Sequence, residues 1–102
     1  MIKDPQIVVT VREVLDLIKD ISPGKSVELR VPPYGAIQCV TGSNHRRGTP
    51  PNTVEMSGQT LIKLINEPAL WITLCESGEV RASGLLSDLS NLFAQAAVKY
   101  RA

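Results

Sequence analysis

The segment "SVELRV" at residues 26–31 constrains the fold most, because its apolar and charged residues alternate strictly. This period of two is typical of a strand with one face buried and the other facing solvent. The apolar side holds Val27, Leu29 and Val31, and the charged side holds Glu28 and Arg30. Pro32-Pro33 interrupts the strand, and "YGAIQCV" at 34–40 predicts a partner strand. Because both sides of this second strand are fairly apolar, we expect it to be central or covered on both faces.

Helical periodicity flanks this pair of strands. Asp4 is suited to cap a helix whose first residue is Pro5, and "SPG" at 22–24 ends that helix. A final helix is predicted over about 86–100. The apolar face of the first helix consists of Ile7, Val11, Val14, Leu15, Ile18 and Ile21.

The middle of the chain predicts shorter elements. "TVEM" at 53–56 fits a short strand, and Ser57 fits the N-cap of a helix. The segment 68–78 has strand-forming residues, but Pro68 near its start and Gly78 at its end favour a helix. "EVRAS" at 79–83 predicts one more strand. The predicted fold is therefore a single α+β domain over 1–102, with helices packed on one face of a curved, mainly antiparallel sheet of about four or five strands.

Charge and cysteine content exclude several classes of protein. Eleven basic residues against ten acidic ones give a net charge of +1, so a nucleic-acid partner is not expected. No apolar run reaches the roughly 20 residues that span a bilayer, and the N-terminus does not resemble a signal peptide. Cys39 and Cys75 lie among apolar neighbours and are expected to be reduced core residues. We expect a cytoplasmic protein with no cofactor.

The segment "GSNHRRGTPPN" at 42–52 carries the most reactive side chains of the chain. His45 has no nucleophile motif or metal-ligand set around it in the sequence, so neither a catalytic nor a metal site is expected. Arg46 and Arg47, beside Thr49, could present guanidinium and backbone N–H groups to an anion or a lipid headgroup. The arginines could equally form a structural ion pair with an acid such as Glu55 or Asp88.

Two longer blocks of sequence carry a family resemblance. They read "VELRVPPYGAIQCVTGSNHRRGTPPNTVEM" and "GEVRASGLLSDLS". Together they resemble a bacterial, mainly actinobacterial, family of sterol-carrier-like proteins. The second block departs from the family pattern at Leu85-Leu86, where an arginine is usual. The resemblance implies a sheet with helices that enclose an apolar tunnel for lipids, and a helix over 68–78.

These observations predict a non-enzymatic protein that binds a fatty acyl chain or other lipid, with His45, Arg46, Arg47 and Thr49 near a polar headgroup. The alternative is a protein-interaction or oligomerisation module, such as a homodimer, whose interior is filled by its own side chains. The spacing of the apolar helix residues fits a packed core equally well. The candidate lining residues are Ile37, Leu61, Leu64, Trp71, Leu74, Leu89 and Phe93.

Overall fold

A computed structural model describes residues 4–42 and 52–102 of this protein. Helix α1 spans Pro5–Ile21 and is followed by strands β1 at Val27–Val31, β2 at Gly35–Cys39 and β3 at Asn52–Met56. Helix α2 spans Gly58–Asn66, and a 3-10 turn at Pro68–Leu70 leads into α3 at Trp71–Glu76. Strand β4 spans Val80–Ser83, and α4 spans Ser90–Arg101. The predicted order of helices and strands is confirmed.

Local capping groups set the starts of two helices as the sequence predicts. The Asp4 carboxylate accepts a hydrogen bond from the Gln6 N–H at 2.9 Å, and Pro5 occupies the first turn. The Ser57 hydroxyl accepts a hydrogen bond from the Thr60 N–H at 3.1 Å at the start of α2. Each contact satisfies a backbone donor that the helix itself leaves unpaired. Helix α4 instead begins at Ser90 rather than near residue 86, because residues 84–87 form a turn.

The four strands form one mixed sheet in the order β2-β1-β3-β4. Strand β1 pairs antiparallel with β2 and parallel with β3, and β3 pairs antiparallel with β4. An α+β fold with a mainly antiparallel sheet is thereby confirmed. The expectation that β2 is central or covered on both faces is wrong, because β2 is an edge strand with Gly35, Ala36 and Gln38 exposed. The tight turn after Val31 returns β2 to one side of β1, and β3 takes the other side.

The helices of the described chain cover one face of this sheet. The apolar sides of β1 and β3 meet α1, α2 and α4 in a single core in which many side chains are fully buried. Burial of these side chains supplies the main stabilisation of the fold, at about 25 cal/mol per Å2 of apolar surface. In the part of the chain that the structure describes, no helix is long and apolar enough to cross a membrane. A cytoplasmic location stays a prediction.

The opposite side of the sheet, which we call the polar face, consists of residues that are exposed or half-buried. The strand register places Arg30, Glu55 and Arg81 in one row across β1, β3 and β4. Arg81 forms an ion pair with Glu55, and Arg30 Nε lies 2.7 Å from Glu28 Oε1. The members of the polar face are Glu28, Arg30, Ala36, Gln38, Thr53, Glu55, Arg81 and Ser83.

Candidate functional site

A cleft of about 360 Å3, lined by both aliphatic and polar side chains, lies where α1 ends, β2 ends and α4 begins. Leu89 and Leu92 are buried while Asn91 and Gln95 are exposed, so the aliphatic side chains lie deeper than the amides. The cleft therefore combines an apolar floor with polar groups near solvent, an arrangement typical of sites for small amphiphilic ligands. Its lining residues, which define the α1–α4 cleft, are Ile21, Ser22, Val40, Leu85, Leu86, Asp88, Leu89, Asn91, Leu92 and Gln95.

One wall of the α1–α4 cleft is held by an unusual backbone conformation at Val40. Val40 has φ 67°, a left-handed value that is rare for a β-branched residue. Its N–H donates to the Ser22 carbonyl at 2.8 Å, and its own carbonyl accepts from the Ser26 N–H at 3.0 Å. A Cβ at Gly24 would lie 2.2 Å from the Val40 carbonyl oxygen, so only glycine permits this approach. The neighbouring backbone thus fixes the position of the Val40 side chain at the cleft.

A turn over residues 84–87 forms the opposite wall. The Ser87 N–H and hydroxyl both donate to the Gly84 carbonyl, at 3.2 and 2.7 Å. Gly84 has φ 109°, a backbone conformation that residues other than glycine rarely adopt. Leu85 and Leu86 occupy the two central positions of this turn.

The side chain of Asn52 joins this turn to the sheet. Its amide nitrogen donates to the Ser26 carbonyl at 2.8 Å, and its oxygen accepts from the Leu86 N–H at 2.9 Å. Asn52 is only 4% exposed, so these hydrogen bonds lie in a region of restricted solvent access. No local sequence pattern indicates this role of Asn52, because its partners are 26 and 34 residues away along the chain.

Most of the predicted lining residues lie in the packed core rather than along the α1–α4 cleft. Leu61, Leu64 and Phe93 are completely buried, and Phe93 packs against Trp71 with ring centroids 6.0 Å apart. Leu74 is also buried in the core. Their assignment to a ligand site stays a prediction.

The other two predicted apolar residues lie in different places. Leu89 belongs to the core and also lines the cleft. Ile37 is half-buried on β2 and packs against the core. The cleft residues that were not predicted to line a site come from the ends of α1 and β2, from residues 85–88 and from the first half of α4. The signal available for the turn was the pair Leu85-Leu86 between "ASG" and "SDLS".

The predicted headgroup residues His45, Arg46, Arg47 and Thr49 lie outside the described residues. Among the described contacts, the two acids proposed as ion-pair partners have other partners. Glu55 pairs with Arg81, and Asp88 Oδ1 accepts from the Ser90 N–H at 2.9 Å. The anion-binding and ion-pair interpretations of the arginines therefore both stay predictions.

Clefts also border the polar face. One of about 540 Å3 adjoins Pro32, Tyr34 and the start of α2, and one of about 590 Å3 extends towards Cys75 and Ser83. Both include Glu55 and Arg81, which are paired with each other. A ligand bound in either of these clefts would therefore contact charged side chains.

Burial makes both described thiols poor nucleophiles. Desolvation raises the pKa of Cys39 to about 11. The pKa of Cys75 is also raised, first by burial and then by the nearby negative charges of Asp88 and Glu76. A thiol with a raised pKa holds little of the reactive thiolate at neutral pH. The expectation that both cysteines pack with the core is confirmed, with Cys39 buried and Cys75 half-buried against it.

The structure is similar to that of a solved protein described as "UbiJ-SCP2 Ubiquinone synthesis protein". The two share 19% sequence identity, and the match covers 100% of this chain and 98% of the other with a TM-score of 0.56. At this identity the likeness shows a shared fold. A search of curated proteins found no match.

A family of proteins described as "Bacterial SCP ortholog" matches residues 4–94. The match includes the strands, the 84–87 turn and the first half of α4, and so contains most of the α1–α4 cleft. It supports the resemblance to sterol-carrier-like proteins, while the actinobacterial placement stays a prediction. Because the matched region covers most of the chain, this protein belongs to the family of bacterial SCP orthologs.

Proposed function

We propose that this protein binds an apolar ligand, such as a fatty acyl chain or another lipid, in the α1–α4 cleft and that its role is non-catalytic. The observation that supports this most directly is the cleft itself, in which Ile21, Val40 and Leu86 approach the buried Leu89 and Leu92. Its volume of about 360 Å3 lies at the lower end of the range for small-ligand sites. Membership of the bacterial SCP family and the likeness to an SCP2 fold agree with a lipid ligand.

Burial in the cleft can contribute to the free energy of binding an acyl chain. Burial of each methylene contributes about 0.8 kcal/mol, so about seven methylenes would contribute roughly 5–6 kcal/mol before the cost of association. Asn91 and Gln95 lie four residues apart on α4 and therefore share one side of the helix. Their amides can donate and accept hydrogen bonds at a polar headgroup. The ligand expected from this arrangement is an amphiphile with a short segment of chain inside the cleft.

Titration with a fluorescent fatty acid tests the proposal. Leu86→Gln places an amide on the wall of the cleft, and we expect it to weaken binding about fivefold or more. Ile72→Gln is the matched control, because Ile72 is exposed on α3 and does not line the cleft. Lipid extraction of the purified protein followed by mass spectrometry would identify a co-purified ligand. Absence of any fatty-acid uptake by the unaltered protein would contradict the proposal, as would equal losses in both variants.

A filled interior favours a second candidate function, a protein-interaction or oligomerisation module. The side chains between the sheet and the helices, including Leu61, Leu64 and Phe93, are completely buried. Such a core stabilises the fold whether or not a ligand is bound. Light scattering across a range of concentrations would support this candidate if it showed a stable dimer in a protein that takes up no fatty acid.

A further inference from the structure

The two edges of the sheet differ in how open they are to a further strand. Strand β4 has four residues and carries the exposed Arg81, and a short, charged strand is a common way to block an edge. Strand β2 has five residues, contains no charged residue and no proline, and pairs one-to-one with β1 along its whole length, without a bulge. Within the described residues, β1 is the only strand that pairs with β2. Strand β2 therefore lacks the features that usually keep an edge strand from pairing further.

The chain that follows β2 turns away from the outer side of this strand. A Cβ at Gly42 would lie 2.5 Å from Ser26 Oγ and 2.7 Å from Leu86 Cδ1. Gly42 thus lies between the start of β1 and the 84–87 turn, which is on the side of β3 rather than along the outer side of β2. Three of the five residues of β2 are exposed.

We propose that two copies of this protein pair through β2, antiparallel about a two-fold axis at Ile37, so that the two four-stranded sheets join into one. A strand edge offers a row of backbone N–H and carbonyl groups, and the partner that satisfies such a row is another strand. A two-fold axis makes the two sides of the contact identical. In the register that pairs all five residues, Ile37 faces its own copy and Ala36 faces Gln38 of the partner subunit.

The side chains of β2 suit this register on both faces of the sheet. On the polar face, Ala36 borders a cleft of about 430 Å3 that also contains Arg30 and Glu55. Gln38 of the partner subunit would lie beside the small Ala36, where its amide can donate to the acid or accept from the arginine. On the side of the helices, Ile37 is half-buried against the core, and a second isoleucine would cover its remaining surface. A second copy of this chain therefore complements the strand.

The small size of the contact indicates a weak dimer. Five residues of strand extend about 16 Å, so the contact is smaller than the roughly 1,200 Å2 of stable interfaces. We expect a dissociation constant of about 10 μM to 1 mM. Ala36 and Gln38 do not line the α1–α4 cleft, so the pairing does not depend on the proposed lipid ligand. It gives the oligomerisation candidate a defined surface.

Sedimentation equilibrium at protein concentrations of about 10 μM to 1 mM tests the pairing. The double variant Ala36→Lys, Gln38→Lys should raise the dissociation constant about tenfold, because like charges then face each other twice across the axis. The double variant Ala36→Glu, Gln38→Glu should do the same. A mixture of these two variants should recover a dimer at least as tight as that of the unaltered protein, because every introduced lysine then faces an introduced glutamate.

A matched control places the same added charge elsewhere. The double variant Ile72→Lys, Val98→Lys changes side chains that are 68% and 72% exposed on α3 and α4, and it should alter the dissociation constant less than twofold. Circular dichroism should show that all three double variants keep the fold, because the altered side chains are exposed.

Two outcomes would overturn the pairing. A chain that stays monomeric at about 1 mM would leave β2 to an extended segment of another protein. A dimer that the charges on β2 do not weaken, or that the mixture does not restore, would have its interface elsewhere. Fatty-acid titration at about 1 μM protein, where the chain is expected to be monomeric, tests the cleft separately. Loss of uptake there would contradict the proposed function and leave the pairing intact.

Discussion

The core between the sheet and the helices and the α1–α4 cleft are both built from aliphatic side chains, but they differ in what surrounds those side chains. In the core, Phe93 and its neighbours are covered on all sides by other residues of the chain. In the cleft, Leu86 and Val40 lie on backbone that polar contacts hold in place, and their side chains remain accessible. Hydrophobic composition alone therefore does not distinguish a residue that stabilises the fold from one that is available to a ligand.

The largest expected difference comes from removing a large side chain from each region. Phe93→Ala should lower the free energy of unfolding by about 3–5 kcal/mol, because it leaves a cavity that the core cannot fill. Leu86→Ala should lower it by less than about 1 kcal/mol, because the side chain is already 39% exposed. Urea denaturation of both variants measures the difference. Similar losses would show that the cleft wall is as tightly packed as the core.

The next effect concerns the hydrogen bonds that hold the cleft. Asn52→Ala removes one partner each from the Ser26 carbonyl and the Leu86 N–H, and should cost about 2 kcal/mol. Thr53→Ala is the control, since Thr53 is half-buried on the polar face, and it should cost less than about 1 kcal/mol. Hydrogen exchange of the Leu86 amide should accelerate in Asn52→Ala and not in the control. An unchanged exchange rate would mean that Asn52 does not hold the turn.

Replacement of valine by glycine should change the free energy of unfolding by different amounts in the two regions. At Val40, glycine relieves a left-handed conformation that costs a β-branched residue about 1 kcal/mol or more, so the net change should stay within about 1 kcal/mol. At Val54, which is completely buried on β3, glycine should cost about 3 kcal/mol from lost burial and added backbone freedom. Thermal unfolding compares the two variants. If Val40→Gly lowered the stability as much as Val54→Gly does, the backbone of Val40 would not be strained.

The smallest effect is a pH dependence at the start of α4. The Ser90 side chain and its N–H lower the pKa of Asp88 in the folded protein below the ordinary 3.8. A lowered folded-state pKa gives stability that is present above pH 3.8 and is lost as the pH falls through the folded value. The group is largely exposed, so we expect less than about 0.5 kcal/mol. Asp88→Asn should remove this part of the dependence of stability on pH. Identical profiles of the free energy of unfolding against pH for the two proteins would contradict the prediction.

The parts of the fold that depend on neighbours in sequence could be predicted, and those that depend on distant partners could not. The Asp4 and Ser57 caps and the positive φ of Gly78, 83°, follow from contacts within a few residues. The edge position of β2 depends on which strand occupies the other side of β1, and apolar residues alone do not determine that choice.

The candidate site could be predicted only in part, because most of it also depends on contacts between distant residues. Leu89 was recognised because helical spacing marks it as an apolar position, and it does line the cleft. The contributions of Ile21 and Val40 arise only when the ends of α1 and β2 meet. The hydrogen bonds of Asn52 join residues that are 26 and 34 positions away, which no local pattern indicates.

The register of the sheet places the two ends of the connection between β2 and β3 beside the same residue. Cys39, the last residue of β2, and Asn52, the first of β3, are both partners of Val27. Ser26 then bonds to Val40 on one side and to Asn52 on the other. Ser26 and Val27 therefore align the end of β2 with the start of β3, and a backbone change at these two residues should disturb both neighbours of β1 at once.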